Sequence, residues 1–417
     1  MRIVEKRRRE VKEKMREIKE AEGFETRITL IQALIPLGLE QLSKDLQEEV
    51  AVLAGARYSR QGGVTGVSRW GKQRGSVYMQ DVKVPVTVPR IRDTITGAEV
   101  PLQTYKRLQK QYRGDEKLMK RVLSGLSCRN YEDCVEAVPG VFGLKPTTVS
   151  RRYIRASAKK LKELMERRLE GYDIVAMFVD GKTFADDEIV MALGVTIDGK
   201  KVILGMVQTG TENERVLSRF FEEFKDRGLD YSNGILFVID GAKGFVKAVK
   251  KSFGEYAEIH RCHWHKRENV VSYLPKGKKD EYRRKLQAAY EKPTYDEAKE
   301  ELKKIRSDLK CLNESAAGSL DEGFEETLTL HRLGLFRELG ISFKTTNCIE
   351  SVMSMVERKT NRVTYWKNSS QKMRWVATSL LDIEPRLRTV KGYKHLPMLR
   401  AALQSKIKQN LGASEVA

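Results

Sequence analysis

A chain of 417 residues with 78 lysines and arginines against 57 aspartates and glutamates carries a formal charge of +21, which points to a polyanionic partner, most simply nucleic acid, ahead of an anionic membrane surface. That length accommodates two or three domains and a sizeable core. No run of about 18 apolar residues occurs, which excludes a transmembrane helix, and five scattered cysteines fit a reducing cytosol rather than a disulfide framework.

In chain order, residues 1–21 are dense in charge, with Val4, Val11 and Ile18 on one stripe and Met15 beside them. They read as a helix with a thin apolar seam, which either pairs with a partner helix or forms a solvated arm. The basic start lacks the apolar centre of a signal peptide. A second helix is predicted from about Glu25 to Leu53. Glycine clusters and then alternating β-branched residues over 61–101 predict a small sheet of hairpins. Pro85 and Pro89 favour edge strands, and Arg60, Arg69, Lys72, Arg74, Arg90 and Arg92 make this element basic.

Residues 116–170 return to a helical pattern. A short helix ending at Pro139-Gly140, a turn at Gly143 and a helix opening at Pro146 suggest a helix-turn-helix, with an ordinary helical hairpin as the alternative. The second helix would present Thr147, Thr148, Ser150, Arg151 and Arg155, hydroxyls and guanidiniums suited to phosphates and base edges.

From Gly171 the pattern switches to strands. One apolar run ends in Asp180; two strands follow, joined at Asp198-Gly199, a strong hairpin signal. Then come a helix over 212–228, the run Ile235–Ile239 ending in Asp240, a helix from Lys243, and a short strand into Cys262. Charged helical sequence over 279–340 interrupts the α/β pattern as an insertion. Beyond it, Ile349, Val352, Met353 and Val356 line one helix face. The last stretch is basic and helical. The expected divisions are 1–60, 61–110, 111–170, 171–275, 276–342, 343–375 and 376–417.

This order looks like an α/β ribonuclease-H-like core with an all-helical insertion, preceded by helical and small β-rich DNA-binding elements. Strand ends in such a sheet converge on one crevice. Asp180 and Asp240 there make a hard-oxygen site for Mg²⁺, and Glu350 is the candidate third acid, with Glu357 as its rival. The plain readings remain open: Asp-Gly is a common turn pair, and Asn347 with Glu350 fits a helix capping box. The glycines near Lys243 do not make a phosphate-binding P-loop. Cys262, His263 and His265, with His260 nearby, raise zinc, but the second ligand pair of a closed site is missing.

The segments FVDGK, VIDGAKGF, CHWH and TTNCIES, in that order, resemble those of the Mutator-type DDE transposases of bacterial insertion sequences. The resemblance spans about residues 25–400 and includes WGKQRGSV, similar to that family's β-rich, DNA-contacting region. It implies an Asp-Asp-Glu triad of Asp180, Asp240 and Glu350 binding two Mg²⁺ or Mn²⁺ ions, with Cys262 and His265 as a supporting pair. It also implies DNA contacts at Arg69, Lys72 and Arg74, terminal inverted repeats and target DNA as double-stranded partners, a homodimer, and a cytoplasmic, nucleoid-associated setting. The expected activity is cleavage at the element's ends and joining of the freed 3′-hydroxyl to target DNA. A structure-specific nuclease and an inactive DNA-binding regulator on the same fold are the alternatives.

Overall fold

The structure, a computed structural model, describes residues 24–58, 66–79, 82–109, 114–125, 146–184, 187–210, 213–361 and 363–414. Within these, the side chains of 24–37, 79, 82–83, 114–117, 146, 148 and 411–414 are outside the description. The chain divides into two compact units, Met1–Ala156 and Ser157–Ala417.

In the first unit the predicted second helix is α1, Phe24–Ala54. Its Leu42, Leu46, Val50 and Ala54 recur every fourth residue and are buried against Val77, Val88 and Ile91. Those partners lie on β1 (Val67–Met79) and β2 (Val82–Asp93), an antiparallel pair extended by the short β3 (Glu99–Val100). The two prolines obey the edge rule in an unexpected way. β2 is the central strand of its sheet, yet β3 flanks only Ile91 and Arg92. Pro85 and Pro89, opposite Ser76 and Lys72, therefore sit where β1 alone pairs. The Glu49 carboxylate accepts from the amides of Gln103 (2.5 Å) and Thr104 (3.0 Å), capping α2 (Gln103–Leu108). α3 spans Gly114–Leu123 and α4 Pro146–Met165, opening at Pro146 as the sequence predicts. The charged segment 1–21 and the first half of the expected helix-turn-helix, with Pro139, Gly140 and Gly143, lie outside the described residues.

The second unit is built on β4 (Ile174–Phe184), β5 (Asp187–Thr196), β6 (Lys201–Thr209), β7 (Ile235–Ile239) and β8 (Ala257–Arg261), in spatial order β6-β5-β4-β7-β8. β4, β5 and β6 form an antiparallel meander, and β7 and β8 run parallel to β4. The β5–β6 hairpin turns at the predicted place, with Gly199 at φ +82°. β7 is buried along its whole length, as a central strand covered on both faces must be. Helices α5 (Glu214–Asp226) and α6 (Lys243–Phe253) cover one face, packing Phe220, Phe221, Phe224 and Phe245 on Met177, Val179, Phe237 and Ile239.

Between β8 and the helix bearing Glu350 lie α7 (His263–Ser272), α8 (Lys276–Tyr290), α9 (Tyr295–Leu312), α10 (Glu314–Asp321), α11 (Phe324–Thr327), α12 (Thr329–Arg332) and α13 (Phe336–Phe343). α7 to α10 share a core of their own, in which Val270, Leu286, Leu302 and Ala317 meet. α14 (Asn347–Thr360), α15 (Ser369–Ile383) and α16 (Leu396–Ser414) cover the second sheet face. The predicted stripe of Ile349, Val352, Met353 and Val356 packs there with Phe178 and Met191. No helix among the described residues is long and apolar enough to cross a membrane.

One buried charge ties the C-terminal helix to the sheet. Glu258 on β8 is 6% exposed and accepts from both Arg332 and Lys406. Removing the acid takes the shared partner from two half-exposed cations and leaves a gap at a buried strand position. Glu258→Ala is expected to cost about 2–4 kcal/mol, read from urea unfolding of the full chain.

Candidate active site

The parallel register brings together what the sequence holds far apart. Val179 of β4 pairs with Ile239 of β7, and Ile239 with Arg261 of β8. The next residues, Asp180, Asp240 and Cys262, therefore form one row across three adjacent strands, which lie about 5 Å apart. Cys262 confirms the register by donating its amide to the Ile239 carbonyl at 2.8 Å. Side-chain alternation puts Asp180 on the same sheet face as Ala176 and Phe178, the face α14 covers. Glu350 stands in the first turn of α14.

Asp240 is both a turn residue and a member of this cluster. Its Oδ1 accepts from the Ala242 amide at 2.9 Å, closing a local turn. Gly241 follows at φ +94°, and a Cβ there would come within 2.5 Å of the Arg261 guanidinium. Glycine is required at that position on both counts.

Asp180 senses the other two acids. Burial pushes the Asp180 carboxyl up to about 7, the charges of Asp240 and Glu350 push the same way, and His265 opposes them. Among the described residues no three carboxylates, imidazoles or thiols converge tightly enough to enclose a metal ion. The arrangement is an open cluster of mutually repelling hard oxygens. Such a set suits a dication whose shell is completed by ligands from outside the chain.

A hydroxyl links the remaining parts. Thr346, fully buried, donates its Oγ1 to Glu350 Oε1 at 2.7 Å and lies 3.4 Å from His265 Nδ1 and 3.5 Å from Cys262 Sγ. Its amide also reaches Cys262 Sγ at 3.4 Å. The Asn-x-x-Glu capping box is not formed. α14 starts at Asn347, so Thr346 occupies the cap position, and its hydroxyl engages Glu350. Sequence reading passed over Thr346, although it stands four residues before Glu350, one helical turn away.

Cys262 and His265 lie one turn apart, because Cys262 caps α7. Burial opposes charge on both. Yet the hydrogen bond between them wins, lowering the Cys262 thiol and pushing His265 up to about 9 with help from Asp180 and Asp240. His263 turns away, its Nε2 against the Thr327 carbonyl at 2.7 Å, and burial pushes it down to about 3. The rival acid, Glu357, pairs with Lys182 at 2.8 Å.

The DNA-contact candidates divide. Lys72 and Arg74 are exposed on β1. Arg69 is half-buried, and its guanidinium donates to the Gly55 carbonyl at 2.8 Å, the end of α1. Beside it, Arg92 stacks over the exposed Trp70 ring at 4.4 Å, a pair the sequence reading did not single out. On α4, Thr147, Arg151 and Arg155 are exposed and Ser150 is half-buried; the side chain of Thr148 is outside the description.

Comparison with known proteins places these features in a family. The chain is 26% identical over 311 residues to the transposase for insertion sequence element IS256 in transposon Tn4001 of Staphylococcus aureus, covering 71% of this chain and 76% of that protein. It is 24% identical over 354 residues to the transposase for IS905 of Lactococcus lactis, covering 82% and 87%. It is 27% identical over 245 residues to the transposase for IS6120 of Mycolicibacterium smegmatis, covering 57% and 74%. The family described as "Transposase, Mutator family" matches residues 6–387, nearly the whole chain, and the protein belongs to it.

Proposed function

We propose that this protein is a DNA transposase that cleaves at the ends of its element and joins the freed 3′-hydroxyl to target DNA, using Asp180, Asp240 and Glu350 on a ribonuclease-H-like core. The observation that carries the reading is the row of Asp180 and Asp240 beyond paired strand positions, with the charge of Glu350 reaching Asp180 from a covering helix. The strand order, an antiparallel meander followed by two parallel strands, supports the core assignment. Family membership supports the activity.

Asp180, Asp240 and Glu350 would hold two Mg²⁺ or Mn²⁺ ions, which when bound activate the attacking oxygen and stabilise the leaving one. The residues themselves do the rest. Pairing with Met191 inside β4 fixes Asp180, the turn that ends β7 fixes Asp240, and Thr346 orients Glu350 through its hydroxyl. His265, pushed up to about 9 by Cys262, Asp180 and Asp240, would set a positive charge beside the acids and favour approach of a phosphodiester. Cleavage and joining are both in-line attacks on phosphorus, so one site serves both. Lys72 and Arg74, the Trp70–Arg92 pair, and the start of α4 with Thr147, Thr148, Ser150, Arg151 and Arg155 would hold the terminal repeats. Two ends must meet for joining, which calls for a homodimer.

The test uses the full chain, Mg²⁺ or Mn²⁺, and duplexes ending in the element's terminal repeat or a scrambled sequence. Cutting and joining that require the repeat support the reading. Cutting of branched DNA whatever its ends, without joining, means a structure-specific nuclease; binding without cutting means a regulator. Within this reading, Thr346→Val is expected to slow cleavage roughly 10- to 100-fold with DNA affinity unchanged, measured by single-turnover cleavage and gel shift. Glu357→Gln breaks only a half-exposed ion pair with Lys182 and is expected to change the same rate by less than about threefold.

A further inference from the structure

The helix that carries Glu350 also walls a cleft. Glu350, Ser354 and Arg358 follow one another at helical spacing on α14, and Asn361, the residue that caps its end, continues the same stripe. The last three line an open cleft of about 640 Å³, together with Thr183 and Phe184 at the end of β4 and with Trp366. Both walls continue from the acids. Phe184 stands four residues beyond Asp180 on the same face, roughly 13 Å along the strand. Ser354 stands one turn beyond Glu350, roughly 6 Å along the helix.

The lining has a definite chemistry. Trp366 is wedged edge-on against Phe184, with ring centres 5.1 Å apart, and against Trp375 at 6.2 Å. Among the described residues, the hydroxyls of Thr183 and Ser354 and the amide of Asn361 have no hydrogen-bond partner, and the guanidinium of Arg358 has no carboxylate partner. Arg358 only donates from Nε to the Ser354 carbonyl, at 3.4 Å. Glu357 also lines the cleft, and its charge is paired with Lys182 at 2.8 Å. A fixed aromatic wall, unused donors and acceptors, and one uncompensated cation stand within a strand's reach of a phosphoryl-transfer site. Those are the parts that bind a nucleotide: a ring face for a base, polar groups for its edge, a guanidinium for its phosphate. The volume lies within the range that encloses a small molecule.

We propose that this cleft takes an unpaired nucleotide immediately flanking the scissile bond, held by Trp366, Asn361 and Arg358. The proposal rests on the transposase reading and deepens it. Drawing one nucleotide out of the duplex would pin the strand and set its phosphate against the acids.

The test plugs the cleft without touching the core. Ser354→Trp fills it from an exposed position on α14, and Asn361→Ala removes a lining group from the exposed position just beyond that helix. On fully paired terminal-repeat ends, the plug is expected to slow cleavage roughly 10- to 100-fold. The Asn361 variant is expected to slow it less, with gel-shift affinity kept in both. An abasic nucleotide at the flanking position, which needs no base pocket, is expected to narrow the gap between Asn361→Ala and wild type. A 5-iodouracil at that position is expected to crosslink to Trp366 or Phe184 in the wild-type protein. Equal rates for wild type and Ser354→Trp, or a crosslink elsewhere, overturn the proposal. A wild-type protein that cuts and joins while the plug is silent sinks the subsite alone. One that neither cuts nor joins sinks the transposase reading and the subsite with it.

Discussion

Asp240→Asn is expected to yield a protein that binds element ends normally and neither cuts nor joins them, a loss of at least about a thousandfold in rate. The substitution is nearly isosteric. Its remaining oxygen can still accept from the Ala242 amide, so the turn survives. What it removes is charge at the middle of a row, between Asp180 on one strand and Cys262 on the other. Asp180→Asn and Glu350→Gln are expected to behave alike. Asp198→Asn is the control. Asp198 lies in the β5–β6 turn, next to Thr196, which pairs with Ile174 at the far end of β4 from Asp180. A strand-joining assay alongside a gel shift separates lost chemistry from lost binding. An Asp240→Asn protein that keeps full cleavage removes that residue from the mechanism.

Asp180→Asn is expected to stabilise the fold while it abolishes activity. Burial and the like charges of Asp240 and Glu350 raise the folded carboxyl from 3.8 to about 7. The native state therefore holds this proton more tightly than the unfolded chain. The stability that proton contributes is complete below the unfolded value and is lost as pH rises through about 7. Asparagine is uncharged throughout, so it escapes the loss. Wild type and variant should melt together near pH 4 and diverge as pH rises, the variant leading by about 1–3 kcal/mol above neutrality once solvent screening is allowed for. Mg²⁺ or Mn²⁺ should raise the melting temperature of the wild type by mass action, and that of the variant much less. Scanning calorimetry across pH, with and without the ion, reads both effects. A variant that is less stable than wild type at pH 8 would mean that Asp180 is a structural acid.

The DNA-contact candidates show how an exposed-looking charge pattern divides once folded. Arg69, Lys72 and Arg74 sit within one basic run, but a strand alternates, and β1 is irregular between Arg69 and Gly71. Arg69 therefore caps the end of α1 at Gly55, whereas Lys72 and Arg74 face solvent.

Local periodicity was legible in the residues alone. The buried run of β7 with the acid that follows it, the glycine hairpin of β5 and β6 and the Ile349–Val356 stripe all follow from patterns spanning a few residues, because alternation and helical pitch act over that range; Asp180, expected at a strand end, instead lies inside β4, because β5 pairs with that strand as far as Phe184. The tertiary structure decided which distant groups meet. Strand register set Asp180, Asp240 and Cys262 in one row, and the start of α14 made Thr346 rather than Asn347 the partner of Glu350. Lys182 claimed Glu357, and Trp366 closed a cleft on β4. Those pairings join residues separated by up to about 180 positions, and no local pattern encodes them. They follow from packing two sheet faces against helices, which selects one register and one helix rotation among the many that the same periodicities allow.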